Sequence, residues 1–317
     1  MNNTLEEITA YGKNLYDMFL LKNNVKFIIC PCSIGDTDII ALFVKKYKQM
    51  NDKKEVILVI KEQHEDLIKL FSWINFFVLT NQEMLALRYY ICCNQKYNDE
   101  NILYGHFPPK DLSLSEFYTT KNIPLVYEYK NLLGIPLSTK PDLGNFACIS
   151  EERKKEISDL YKDAFILFPF AQSYETIQGE FWERIVHYMN GKGVGITNIY
   201  TNSFNSVIPG TQKCDLKISE LCYAATQAKL CIGIRSGIFD AIASVEGQSS
   251  NIVIFTKMTT ENIPDCSSTC VIPSNVHLYF DLRDIKEDLD VTYFSYTKEL
   301  EDTLISLIFN KIDEYLS

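Results

Sequence analysis

Apolar positions along the chain follow two alternating rhythms. Between residues 4 and 22, Leu5, Ile8, Tyr11, Leu15, Met18 and Phe19 recur at about 3.6 residues, which predicts an amphipathic helix ahead of the first strand. Residues 25–30 are then a short apolar run of buried-strand length, followed by a helical pattern over 38–50. The cycle repeats with strands at 55–60, 76–79 and 102–104 and helices at 65–73 and 82–92.

A second series follows a turn-rich stretch at 136–146, where Pro136, Ser138, Thr139, Pro141, Asp142, Gly144 and Asn145 suit a linker. An exposed, charged helix at 151–163 leads into strands at 164–168, 194–200, 230–234 and 252–255, with helices at 179–189, 218–228 and 238–245. A last helix at 296–315 is long enough to reach back across the domain junction. Strands alternating with helices predict an α/β chain of two doubly wound, Rossmann-like parallel sheets. The domains are expected at 1–140 and 141–317, and a length of 317 residues suits two cores.

Composition narrows the function. An apolar share of 46% and a charged share of 23% are those of an ordinary globular protein. The net charge of −10 argues against a long contact with nucleic acid, which needs a basic surface. Lys45, Lys46, Lys48, Lys53 and Lys54 form a local basic cluster, either a solvated helix end or a peripheral contact with an anionic membrane or acidic acceptor. The first residues lack the basic and apolar regions of an export signal, and no apolar run approaches about 18 residues, so a cytoplasmic protein is expected. The 10 cysteines make no paired C-x-x-C arrangement; neither a disulfide framework nor a metal site is expected.

Ligands of open parallel sheets bind beyond the carboxyl ends of the strands, where helix starts offer free backbone N–H groups. Three loops lie there. In Pro31-Cys32-Ser33-Ile34-Gly35-Asp36-Thr37, Gly35 permits a tight turn and Asp36 can face a ligand, or Asp36 or Thr37 merely caps the helix. The loop after residue 168 offers Gln172, Ser173 and Thr176 to a phosphate, or is an ordinary polar loop. At Arg235-Ser236-Gly237 a guanidinium and backbone donors can meet a diphosphate, or Arg235 pairs with Asp240 for structure alone.

Together these segments resemble the heptosyltransferases, glycosyltransferase family 9, and their GT-B relatives. Ser33-Ile34-Gly35-Asp36 is similar to that family's Gly-Asp loop, Phe168-Pro169-Phe170-Ala171-Gln172-Ser173 to the opening of its donor-binding domain, and Ile232-Gly233-Ile234-Arg235-Ser236-Gly237 to its Asp-Ser/Thr-Gly loop. The resemblance implies a GT-B-like fold, with an acceptor-side domain at 1–140 and a donor-binding domain at 141–317. It implies transfer of a sugar from a nucleotide-diphosphate-sugar to a saccharide, glycolipid or glycoprotein, with Asp36 as base and no resident cofactor or metal. Two departures stand out: Arg235 replaces an acidic residue, and a lysine expected near Thr176 is absent. They suggest that phosphate neutralisation moved to Arg235, and they leave open a non-catalytic nucleotide-sensing or scaffold protein. A nucleotide-sugar epimerase or a phosphatase is the remaining alternative.

Other motifs carry less. Asp36-Thr37-Asp38 fits D-x-D, a pattern that can hold a divalent metal or form a phosphatase's nucleophile and acid, but a phosphatase nucleophile ends its strand directly, whereas here Cys32-Ser33-Ile34-Gly35 intervenes. Asp288-Leu289-Asp290 lies in an acidic stretch and reads as a solvated turn. Gly191-Lys192-Gly193-Val194-Gly195 precedes a strand, so it reads as a helix C-cap rather than a dinucleotide loop. His106, after the fourth strand, can assist proton transfer or bind an acceptor sugar, or be structural; His64, His187 and His277 show no evident partner.

Overall fold

A computed structural model describes residues 5–51, 55–106, 123–172, 174–192, 198–202, 207–256 and 280–317. The chain divides into two compact units, with the change at Asn145 and Phe146 and with Phe280 grouped in the first.

The first unit begins with α1 (Leu5–Leu20), β1 (Val25–Ile29), α2 (Ile34–Ala41) and α3 (Val44–Met50), then β2 (Glu55–Lys61), α4 (Glu65–Ile68) and β3 (Asn75–Leu79). It continues with α5 (Asn81–Asn94), β4 (Asn98–Asp99), β5 (Ile102–Tyr104) and α6 (Leu125–Leu132). The sheet order is β3-β2-β1-β5-β4, parallel except for β4, a short antiparallel edge strand. Tyr16 and Phe19 of α1 and Met84, Leu87 and Ile91 of α5 pack with Phe27, Ile29, Ile102 and Tyr104 in one buried cluster. Lys26 interrupts an apolar strand, yet its ammonium is satisfied by the carbonyls of Asp99, Glu100 and Ile102, so it ties β1 to the β4–β5 turn.

Two expected helices are shorter than their periodicity suggests. The 38–50 pattern breaks at the fully buried Leu42 and Phe43, where the Leu42 carbonyl accepts the Asp142 N–H. The 65–73 pattern ends at Ile68, and the Leu70 carbonyl accepts the Asn145 N–H. Both breaks are thus satisfied by the turn-rich stretch, which lies along the first unit. The helix α6 was not anticipated, although Val126, Tyr129 and Leu133 carry its buried spacing.

The second unit contains α7 (Glu151–Tyr161), β6 (Phe165–Phe168), α8 (Gly179–Lys192), β7 (Ile199–Thr201), β8 (Gln212–Lys213) and α9 (Ile218–Gln227). After these come β9 (Leu230–Ile234), α10 (Gly237–Ala243), β10 (Ser250–Phe255), β11 (Asp290–Ser295) and α11 (Glu301–Leu316). The sheet order is β11-β10-β9-β6-β7-β8, all parallel. The acidic 288–290 stretch leads into the edge strand β11 rather than a free turn. Asp290 there accepts from Ser250 Oγ at 2.8 Å and Tyr315 Oη at 2.9 Å. The last helix belongs to this unit, where Phe309 stacks on Tyr188 of α8 at 3.7 Å and Asp302 meets Arg184 at 2.7 Å.

In each sheet the order reverses between central strands, at β1/β5 and at β6/β9. Glycines make both crossings close. A Cβ on Gly105 would lie 2.7 Å from the Ile29 oxygen, and one on Gly233 would lie 2.5 Å from the Phe168 oxygen. Gly233→Ala is therefore expected to cost about 3 kcal/mol, the upper range for overpacking, seen as a lower urea midpoint at unchanged slope.

Candidate active site

Sequence places α2 by a capping box. Ser33 is the N-cap, its hydroxyl accepts weakly from the Asp36 N–H at 3.5 Å, and the Asp36 carboxylate returns to the Ser33 N–H at 2.9 Å. The cap is thus Ser33, not Asp36 or Thr37, and Gly35, Asp36 and Thr37 stand in the first helical turn. The Ser33 hydroxyl also donates to Asp36 Oδ2 at 2.6 Å, while the Tyr129 hydroxyl of α6 donates to Oδ1 at 2.5 Å. Tyr129 is pushed well above the ordinary phenol value by burial, helped by the Asp36 charge, so it remains a donor.

Neighbouring strand ends add charge. Lys61 closes β2 and donates to the Cys32 carbonyl at 2.8 Å. Burial pulls its ammonium below the ordinary value; Arg88 adds to that, while Cys32 and Asp36 oppose it. The Cys32 thiol is raised, by burial first and then by Asp36. Lys61 and the Asp36 carboxylate therefore share the carboxyl end of β1 and β2, within electrostatic range of Arg88 of α5, beside the strand-order reversal where α/β sheets hold ligands.

Thr37 faces inward and is fully buried. Its hydroxyl donates to the Ser33 carbonyl at 3.1 Å and lies 2.9 Å from His64 Nδ1. With that single proton given to Ser33, Nδ1–H is the donor to Thr37. His64 is pulled down to about 4 by burial, with Lys61 adding and Asp36 opposing, and so is neutral at ordinary pH. It has the partner that its sequence context did not suggest.

In the second unit the loops after β6 and β9 meet at the β6/β9 reversal. Gln172 and Thr176 are exposed, Ser236 and Gly237 half-buried, and Ser173 lies outside the described residues. Arg235 takes the structural alternative: its guanidinium donates to Asp240 at 2.5 and 3.0 Å, with both side chains buried, and to the Ser236 carbonyl at 2.6 Å. Burial opposes its charge but the Asp240 carboxylate outweighs that, so its pKa is raised. Tyr174, pushed up to about 12 mainly by burial, senses the Arg235 charge. Arg235 thus braces its own loop through Asp240 and the Ser236 carbonyl.

Tyr129, Lys61, His64 and Arg88 were missed because each reaches the Asp36 loop only through the fold. Tyr129 is 93 residues from its partner. The one available signal was a lysine directly ending an apolar strand. His106 is half-buried just after β5, at the edge of the described residues. Among the described residues, no group of three or more His, Cys, Asp and Glu side chains gathers as a metal site, and no helix is long and apolar enough to cross a membrane.

The two doubly wound sheets make this an α/β protein of the GT-B type. Its structure is similar to that of the ADP-heptose lipopolysaccharide heptosyltransferase II of E. coli, with TM-score 0.58, 8% identity, and 92% of this chain and 98% of that chain covered. It is similar to a glycosyl transferase family 9 protein of Veillonella parvula DSM 2008, with TM-score 0.58, 10% identity, and 93% and 98% covered. The E. coli heptosyltransferase WaaC, solved with ADP, matches with TM-score 0.51, 9% identity, and 92% and 98% covered. No family model matches the chain, nor does any curated protein sequence. At such identities the likeness is one of fold.

Two outcomes follow from the buried charges. His64 has a folded value of about 4 against 6.5 for the free side chain, so the unfolded chain binds the proton first as pH falls. The stability held above pH 6.5 should decline by about 3 kcal/mol on the way to pH 4, and His64→Gln should flatten that decline in urea titrations. Arg235→Ala strands the Asp240 carboxylate and should cost about 3–5 kcal/mol, whereas the paired Arg235→Met, Asp240→Leu replacement should recover most of it in thermal melts.

Proposed function

We propose that the chain is a glycosyltransferase that moves a sugar from a nucleotide-diphosphate-sugar to a hydroxyl of a saccharide or glycoconjugate. The observation that carries this is Asp36: a carboxylate fixed by three donors at the strand-order reversal of a GT-B-type unit. Residues 1–140 take the acceptor and residues 141–317 the donor. The acceptor oxygen bonds to the anomeric carbon as the bond from that carbon to the diphosphate breaks. Asp36 receives the hydroxyl proton, and the nucleoside diphosphate leaves with the bonding electrons. Donors to the diphosphate are backbone N–H groups of the two second-unit loops with Gln172, Ser173, Thr176, Ser236 and Gly237, held in place by the Arg235–Asp240 brace. Ser236 Oγ supports this, being buried without a hydrogen-bond partner among the described residues. His106 is the candidate second contact to the acceptor. The nucleotide-sugar is a co-substrate, and no resident cofactor or metal enters the proposal.

A cytoplasmic protein with a peripheral membrane contact suits a glycolipid acceptor. Of the basic cluster, Lys45 already meets Asp142 at 3.5 Å and lies over the Trp73 ring, while Lys53 and Lys54 fall outside the described residues.

One observation favours a second possibility, a non-catalytic nucleotide sensor or scaffold: the arginine nearest the donor loop is already neutralised by Asp240. Asp36→Asn separates the two. It should keep the melting temperature shift given by a bound nucleotide while lowering transfer by roughly 10²–10⁴. Full transfer in that variant removes Asp36 from the chemistry. Thermal shifts with ADP-, UDP-, GDP- and CDP-sugars, with and without chelator, identify the nucleotide; stabilisation without turnover favours the sensor.

A further inference from the structure

Among the described residues, two capping boxes pair a hydroxyl N-cap with an acidic third residue that also accepts from a tyrosine, and of these two the one at Ser33 lies at a strand-order reversal. At Thr80 and Glu83, ahead of α5, Glu83 Oε2 accepts from the Thr80 N–H and hydroxyl, and Tyr11 Oη donates to Oε1 at 2.9 Å. Tyr11 is 45% exposed, and this box follows the edge strand β3. At Ser33 and Asp36 the same pattern is buried on the tyrosine side: Tyr129 is 2% exposed and donates from α6 across 93 residues.

Capping alone needs only the Ser33 contacts, since both are made by Oδ2 within the helical turn. Tyr129 adds nothing to the cap. It does fix the carboxylate about its last torsion and fill one acceptor position of Oδ1. A carboxylate oxygen has room for about two donors; among the described residues Oδ1 accepts from Tyr129 alone, which leaves a position for a substrate hydroxyl, while Oδ2 accepts from both Ser33 donors.

We propose that Tyr129 is the positioning residue of the Asp36 base, its hydroxyl selecting Oδ1 as the proton acceptor and holding it in one orientation. This rests on Asp36 acting as base. Tyr129 keeps its own proton throughout, because burial and the nearby carboxylate disfavour phenolate; the substrate proton ends on Asp36. Among the described residues, Cys30, Cys32, Lys61 and His64 also sense the Asp36 charge, and no hydrogen bond joins any of them to Oδ1.

The test follows nucleotide release from ADP-heptose, with UDP-glucose and GDP-mannose alongside and water as acceptor, in the full chain. Tyr129→Phe should lower kcat by about 10- to 100-fold, the range for losing a hydrogen bond to a charged group, with the donor KM unchanged. Tyr11→Phe loses the same kind of bond and should leave kcat as it is. In an Asp36→Asn background, Tyr129→Phe should have no further effect, because the group it positions is gone. An unchanged kcat for Tyr129→Phe, with Asp36→Asn slow, overturns the positioning role alone. An equal loss in both backgrounds does so too, showing a residue needed only for packing. A fully active Asp36→Asn, or no release from any donor, overturns the Asp36 assignment itself and Tyr129 with it.

Discussion

The close approach of the central strands is the constraint on which the candidate sites depend. β1 is flanked by β2 and β5, and β6 by β7 and β9, with apolar side chains buried on both faces. Where the strand order reverses, Gly105 and Gly233 let neighbouring backbones come nearer than any side chain would allow. The loops leaving β1 and β6 start at these reversals, the positions at which open α/β sheets hold ligands. Hydrophobic burial places the chemistry; the polar residues only decide what it is.

Around Asp36, the same contacts answer structural and chemical needs. Ser33 starts the helix and restrains the carboxylate, Thr37 ties that turn to a neutral His64, and Tyr129 brings a buried hydroxyl from a distant helix. A helix cap in water would need none of the latter two. Their convergence turns a local signal that is common in helices into a fixed carboxylate whose charge Lys61 senses.

The second unit solves its charge problem differently. An arginine at the end of a buried strand would be costly alone, and Asp240, on the helix that follows, lies at the right spacing to pair with it. The pair orders the Arg235-Ser236-Gly237 turn, with both terminal guanidinium nitrogens on Asp240 and one also on the Ser236 carbonyl. The charge of Arg235 is thereby balanced within its own loop.

Much of the architecture was legible because burial on both faces writes long apolar runs into the chain. The runs at 25–29, 55–60, 165–168, 230–234 and 252–255 could hardly be anything but inner strands, and their alternation with helices dictated parallel sheets. The edge strand β11 was hidden by its acidic lead and half-exposed side chains, and the breaks in the 38–50 and 65–73 helices by hydrogen bonds from residues 142 and 145. The position of the Asp36 loop was likewise determined by local sequence, since a strand end and a capping box are short-range features. What only the tertiary structure decided is the company each charge keeps: Tyr129 with Asp36, His64 with Thr37, Asp240 with Arg235. Periodicity specifies which face of an element is buried, but a side chain's partner depends on which elements stack beside it, and that is settled only when the sheets close.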